Sequence, residues 1–143
     1  MSVTFWVPDA PRTRTMVACS SDGCSAFARC GYCYGGLEEK IESPAPELNV
    51  HNGNAAILGD LLRLEMPGGT LGLKDIPEKR RAIVRLLNTS LAFVARDASS
   101  TALPGRARII DQGVDPETVK DRLRRLDAVF AYAQAHGWGV AWG

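Results

Sequence analysis

The chain has 143 residues, of which 45% are hydrophobic and 23% are charged, as in an average soluble domain. This composition excludes an intrinsically disordered chain, a coiled coil and a collagen, and the length predicts a single domain over residues 1–143. Seventeen basic and sixteen acidic residues give a net charge of +1, which by itself does not indicate a nucleic-acid-binding protein.

Hydropathy predicts a protein without a membrane partner. No apolar run approaches the roughly 18–20 residues that a membrane-spanning helix needs. The first residues lack the basic segment and apolar stretch of a signal peptide, so we expect a cytoplasmic protein. No sequence pattern predicts the oligomeric state.

The first predicted element is a short strand that contains Val3, Phe5 and Val7, which alternate with other residues before Pro8 stops the run. Residues 16–36 then form a cysteine-rich loop. Residues 37–48 are acidic and contain two prolines, so they predict an exposed connector.

All four cysteines lie in residues 16–36 with the spacing C-x4-C-x5-C-x2-C. In a reducing cytosol, clustered thiols are metal ligands more often than disulfides, and four thiolates suit a closed structural zinc site rather than a catalytic one. The five-residue gap between the pairs is shorter than in zinc ribbons. Free or redox-active thiols, disulfides and an iron–sulfur cluster therefore stay open as alternatives. The predicted zinc ligands are Cys19, Cys24, Cys30 and Cys33.

Residues 49–143 predict a helical core that ends in a strand. Leucine and isoleucine at helical spacing predict a helix over about residues 54–65, followed by a glycine-rich turn at 68–72. A second helix is predicted over 75–96, with Asp75 and Glu78 at the spacing of a capping box.

Residues 97–106 predict a loop and residues 106–110 a short strand. A third helix should begin at Asp115 and end near residue 136, with Gly137 as its cap. The alternation of Trp138, Val140 and Trp142 predicts a final strand that pairs with the first one. The predicted fold class is therefore α+β, with three main helices, a small antiparallel sheet involving both terminal strands, and a zinc loop at one edge.

Residues 49–54 contain three asparagines and a histidine immediately before a predicted helix. The N–H groups at a helix N-terminus favour an anion, so this cluster is a candidate binding site. The simpler alternative is that Asn52 or Asn54 caps the helix while Asn49 closes a turn. The candidate residues are Asn49, His51, Asn52 and Asn54.

The Asn-x-x-Asn-Gly-Asn-Ala pattern at residues 49–55, the leucine-rich helix after it and the final Val-x-Trp resemble small uncharacterised proteins of bacteria and their phages. The resemblance covers residues 47–65 together with the last helix and strand. It implies no activity, and it favours a phage or prophage origin.

Charge is unevenly distributed, with a net charge of −3 over residues 1–73 and +4 over residues 74–143. Clustered cations on predicted helices are a candidate basic patch for nucleic acid, although most such faces are simply solvated. Its members are Lys79, Arg80, Arg81, Arg85, Arg122, Arg124 and Arg125.

The sequence has no phosphate-binding loop, no dinucleotide fingerprint, no nucleophile elbow and no zinc-protease helix, so no catalytic residue is predicted. The leading hypothesis is a small zinc-stabilised, non-enzymatic binding protein, encoded by a phage and acting on a host protein. A nucleic-acid-binding protein that uses the basic patch is the alternative. A small enzyme that uses His51 and the asparagines is a distant third hypothesis.

Overall fold

A computed structural model of the chain describes residues 2–19, 37–95, 99–102, 108–111 and 114–143. The chain divides into two compact units, of which one comprises Met1–Asp9 and Pro46–Gly143 and the other comprises Ala10–Ala45. Within the described residues, no helix has the length and the apolar content needed to cross a membrane. Helices together with antiparallel strands confirm the α+β class.

The larger unit contains a four-stranded antiparallel sheet. Its strands are β1 (Ser2–Trp6), β4 (Leu48–His51), β5 (Gly69–Leu71) and β8 (Val140–Trp142), in the order β4-β1-β8-β5. Phe5 is opposite Leu48 on one side and Trp142 on the other. The predicted pairing of the first and last strands is thus confirmed, although the last strand begins at Val140 and leaves Trp138 outside it.

The described residues form three main helices, as predicted: α1 (Asn52–Leu62), α2 (Ile76–Leu87) and α3 (Pro116–His136). α2 is shorter than the predicted 75–96. Asn88 Nδ2 donates to the Val84 carbonyl at 2.9 Å, and Thr89 Oγ1 donates to the Arg85 carbonyl at 2.8 Å. These side chains bind the last carbonyls and end the helix, and a short 3-10 helix follows at Ala92–Val94.

The caps of α3 are those predicted. The Asp115 carboxylate accepts from Thr118 N at 2.9 Å, and Gly137 adopts a left-handed conformation with φ of 74°. At α2 the predicted capping box is wrong, because the Asp75 side chain makes no capping hydrogen bond. Pro77 nevertheless lies in the first turn of α2, where a missing N–H has no cost.

The core of the larger unit lies between the sheet and the helices. Its sheet side consists of alternate residues of β1 and β4 and of all three residues of β8, and Phe5 stacks on Trp142 with ring centroids 5.8 Å apart. α1 and α3 contact the sheet, and α2 packs on α3. The largest fully buried side chains of the helices are Leu58, Leu62, Ile76, Ile83, Leu123, Leu126 and Phe130.

The glycine-rich residues 68–72, predicted as a turn, contain strand β5 at Gly69–Leu71. A β-carbon on Gly69 would lie 2.7 Å from Cζ2 of Trp142, so only glycine allows this strand to pair beneath the indole ring. The Trp142 Nε1 atom donates to the Glu65 carbonyl at 2.8 Å. The close approach of the Trp142 ring on β8 therefore requires glycine at position 69.

Two further strands, β6 (Ser99–Ala102) and β7 (Arg108–Asp111), pair antiparallel with each other. The predicted strand over 106–110 is confirmed by β7. The predicted loop over 97–106 is partly wrong, because β6 lies within it.

The smaller unit contains the antiparallel hairpin β2 (Thr13–Ala18) and β3 (Leu37–Glu42), in register from Thr13 opposite Glu42 to Ala18 opposite Leu37. The predicted connector over 37–48 is therefore wrong, because β3 and the start of β4 lie in it. No residue of either hairpin strand is buried, but Ala45 and Leu48 at the end of the predicted connector are, so its exposure is only partly as expected.

Candidate functional site

The candidate asparagine cluster begins on β4. Asn49 and His51 are both exposed and lie on the same face of the strand, opposite the buried Leu48 and Val50. Asn49 Nδ2 donates to Thr4 Oγ1 at 2.7 Å and to Ser2 Oγ at 3.3 Å. Asn49 therefore links β4 to β1, and its predicted role in a turn is wrong.

The helix that follows the cluster has no side-chain cap. His51 is the N-cap residue of α1 and makes no capping hydrogen bond, while Asn52 and Asn54 already lie in the first turn. The predicted capping by Asn52 or Asn54 is wrong because the helix begins before either of them can occupy the N-cap position. The structure brings Asn49 and His51 to one face and places the other two asparagines inside the helix.

Two of the seven predicted basic-patch residues make internal contacts. Lys79 Nζ donates to the Leu62 carbonyl at 2.9 Å, which satisfies a terminal carbonyl of α1. Arg80 joins α2 to α3 through Asp127, with Nε–Oδ1 and Nη2–Oδ2 distances of 2.8 and 3.2 Å. Arg80 Nη1 also donates to Gln134 Oε1 at 3.0 Å.

The Arg80–Asp127 pair has a clear electrostatic consequence. The hydrogen bonds to Asp127 are the largest cause that raises the pKa of the Arg80 guanidinium above its ordinary value, and partial burial opposes them. Arg80 therefore stays charged, and Asp127 compensates that charge locally. The Arg80–Asp127 pair therefore mainly holds α2 and α3 together.

The exposed members of the basic patch are Arg81, Arg85, Arg124 and Arg125, and Arg122 is half-buried. Arg81 and Arg85 line the same cavity as Val84, whose surface is 54% exposed. These residues belong to a shallow cavity of about 510 Å³ on the outer side of α2. We call it the α2 surface, and its lining residues are Pro77, Arg80, Arg81, Val84, Arg85 and Gln134.

A second cavity, of about 360 Å³, lies between the end of α1 and α2. We call it the α1–α2 groove. Arg63, Lys79 and Arg85 are its cationic residues, and Glu78 is its one acidic residue. Arg63 has φ of 53° and ψ of 54°, a left-handed conformation that is uncommon for any residue with a β-carbon.

Sequence reasoning missed an aromatic cluster at the end of α3. The imidazole of His136 stacks on Tyr132 with centroids 4.2 Å apart and on Trp138 with centroids 4.9 Å apart. His136 Nδ1 also donates to the Tyr132 carbonyl at 2.9 Å. The four-residue spacing of Tyr132 and His136 on a predicted helix was the available signal.

The predicted zinc site lies largely outside the described residues. Cys19, which follows β2, is described and half-buried, whereas Cys24, Cys30 and Cys33 fall in the undescribed range 20–36. In the part of the chain that the structure does describe, no three His, Cys, Asp or Glu residues are placed to hold a metal ion. The zinc site stays a prediction.

Comparison of the chain with models of known protein families, with curated proteins and with solved structures found no match.

Proposed function

We propose that this chain is a zinc-stabilised, non-enzymatic binding protein that docks on an acidic amphipathic segment of a partner protein. The observation that supports docking most directly is the α2 surface, where an exposed valine lies among arginines. Because residues 49–55 resemble small phage and bacterial proteins, we further propose that the chain is encoded by a phage and that its partner is a host protein.

The composition of the α2 surface favours a partner that is both apolar and acidic. Val84 offers exposed apolar area, and its burial by a partner would contribute about 25 cal/mol per Å². Arg81 and Arg85 contribute two positive charges, whereas the charge of Arg80 is compensated by Asp127. An apolar anchor with acidic neighbours complements this arrangement, and opposite charge also accelerates association.

The helix that bears this surface is held in place before any partner arrives. Ile76 and Ile83 bury the inner side of α2, and the Arg80–Asp127 pair joins it to α3. A rigid surface loses little conformational entropy on binding, which favours affinity.

The zinc proposal is supported by the exposure of the hairpin in the smaller unit. An isolated two-stranded hairpin is marginally stable in water, and neither β2 nor β3 has a buried residue. A hairpin of this kind needs another source of folding free energy, which a structural metal supplies. Ala18 pairs with Leu37, so residues 19–36, which contain all four cysteines, connect two paired strands.

Elemental analysis of protein purified without added metal tests the zinc proposal. We expect about one zinc per chain, because four thiolates complete a tetrahedral site. A chelator should make residues 10–45 sensitive to protease while the helical circular dichroism persists. Absence of zinc, with all the cysteines reacting with a thiol reagent in the native protein, would contradict it.

Fluorescence polarisation tests the docking proposal with three labelled probes: a helical peptide with leucine and glutamate at i, i+4 spacing, its counterpart with lysine for glutamate, and a DNA duplex. We expect the glutamate peptide to bind best of the three probes. Val84→Ser and Arg81→Glu should each weaken the binding of this peptide. Arg124→Glu makes the same charge change on α3, outside the α2 surface, and should leave peptide binding unchanged.

The nucleic-acid alternative would instead be supported if the protein bound the DNA duplex best and its affinity for DNA fell steeply with salt. Arg81→Glu and Arg124→Glu should then weaken DNA binding equally. That alternative has fewer free cations than the sequence suggested, because Lys79 and Arg80 make internal contacts. Equal binding of the glutamate and lysine peptides would overturn the docking proposal.

A further inference from the structure

We propose that the α1–α2 groove binds a small organic anion in which an apolar group adjoins a carboxylate. The site is separate from the α2 surface, except that Arg85 lines both cavities. Its volume, about 360 Å³, is that of a small-ligand pocket.

The charge of the groove favours an anion. Arg63, Lys79 and Arg85 line it together with a single carboxylate, that of Glu78, which leaves an excess of two positive charges. Arginine and lysine both bind carboxylates through charge-assisted hydrogen bonds, and these are stronger than neutral ones.

Two of the cationic residues, Lys79 and Arg63, are tied to the end of α1, one through its side chain and the other through its backbone. Lys79 Nζ donates to the Leu62 carbonyl at 2.9 Å, which uses one of the three donors of the ammonium group and fixes where the others lie. Arg63 follows Leu62 directly, and its backbone conformation is held because its own N–H and that of Leu64 both donate to the Gly59 carbonyl. The pre-positioned ammonium group of Lys79 reduces the entropy lost on binding.

Apolar side chains also contribute to the lining of the groove. Leu61, Ala82 and Leu86 are half-buried and line the cavity, and the buried Leu62 lies beside them. An inorganic anion would leave this surface in contact with water, whereas an attached alkyl chain would cover it. The cationic and the apolar side chains of the lining together favour an amphiphilic carboxylate over free phosphate or acetate.

An NMR titration of the full chain with hexanoate tests the proposal, with acetate and 1-hexanol as probes that each lack one half of the ligand. We expect a hexanoate Kd in roughly the millimolar range, as suits so small a ligand, with shifts centred on the amides of Arg63, Lys79 and Arg85. Acetate and hexanol should each bind more weakly.

Matched variants locate the site. Arg63→Gln and Arg85→Gln should each weaken hexanoate about two- to fivefold, as expected for one partly exposed charge pair. Arg124→Gln and Val84→Ser should leave the Kd unchanged, so that failure here is distinct from failure of the docking proposal. The proposal is overturned if hexanol or acetate binds as tightly as hexanoate, or if neither Arg63→Gln nor Arg85→Gln changes the Kd.

Discussion

Two helices of this protein end in the same backbone motif, one on glycine and the other on arginine. At the end of α1, the Leu64 N–H donates to the Gly59 carbonyl at 2.9 Å, and at the end of α3 the Trp138 N–H donates to the Ala133 carbonyl at 2.9 Å. The residue before each donor has a positive φ, 53° at Arg63 and 74° at Gly137. This is the Schellman motif, in which glycine is the preferred residue.

The two positions predict stability changes of opposite sign. A β-carbon on Gly137 would meet nothing within 4 Å, so the cost of Gly137→Ala comes from the backbone alone. We expect this variant to lose about 1 kcal/mol of unfolding free energy and about 3–4 °C in Tm. Arg63→Gly removes the same conformational penalty and should gain up to about 1 kcal/mol.

Urea denaturation followed by circular dichroism measures both changes, provided that the m-value stays constant. Arg63→Ala is the matched control, because it removes the guanidinium but keeps a β-carbon, and it should not stabilise the protein. The reasoning would be refuted by a Gly137→Ala variant as stable as the original chain, or by an Arg63→Gly variant no more stable than Arg63→Ala.

Three further predictions follow from polar contacts. A double-mutant cycle with Arg80→Gln and Asp127→Asn should give a coupling of roughly 0.5–1 kcal/mol in urea denaturation, because the pair is bidentate but partly solvent-exposed; additive effects would show that the contact contributes nothing. Hydrogen bonds from the Thr118 hydroxyl and N–H lower the pKa of Asp115 below its ordinary 3.8, so the unfolded state binds the proton more readily. At neutral pH, Asp115→Asn should therefore have a lower unfolding free energy than the original chain. This difference should disappear as the pH falls through the folded-state pKa of Asp115, and a difference independent of pH would contradict the reasoning. His51→Ser supplies the missing cap of α1 and should raise the unfolding free energy by about 1 kcal/mol, whereas Asn52→Ala should change it little.

The helices and the pairing of the terminal strands could be predicted because burial imposes a period on their sequence. The buried Val3 and Phe5 alternate with less buried neighbours, and α3 buries a stripe that includes Leu123, Leu126 and Phe130. The hairpin β2–β3 has no buried face, so its residues show no period that could separate a strand from an exposed connector.

The candidate sites were less predictable because they depend on contacts between distant residues. Asn49 binds Thr4 and Ser2 across a strand pair, and Arg80 binds Asp127 on another helix. Sequence spacing alone does not distinguish these residues from polar residues that contact only solvent. Arg63 shows the same limitation, since its left-handed backbone follows from how α1 ends and arginine carries no signal for it.

The order of strands in the main sheet also affects how the protein behaves at high concentration. The sheet ends on β4 and β5, which have four and three residues, so each free edge offers few backbone groups to another chain. The six-residue strands of the hairpin offer longer edges, but they include the charged residues Arg14, Glu39, Lys40 and Glu42. Short edges in one unit and charged edges in the other both oppose aggregation by strand addition.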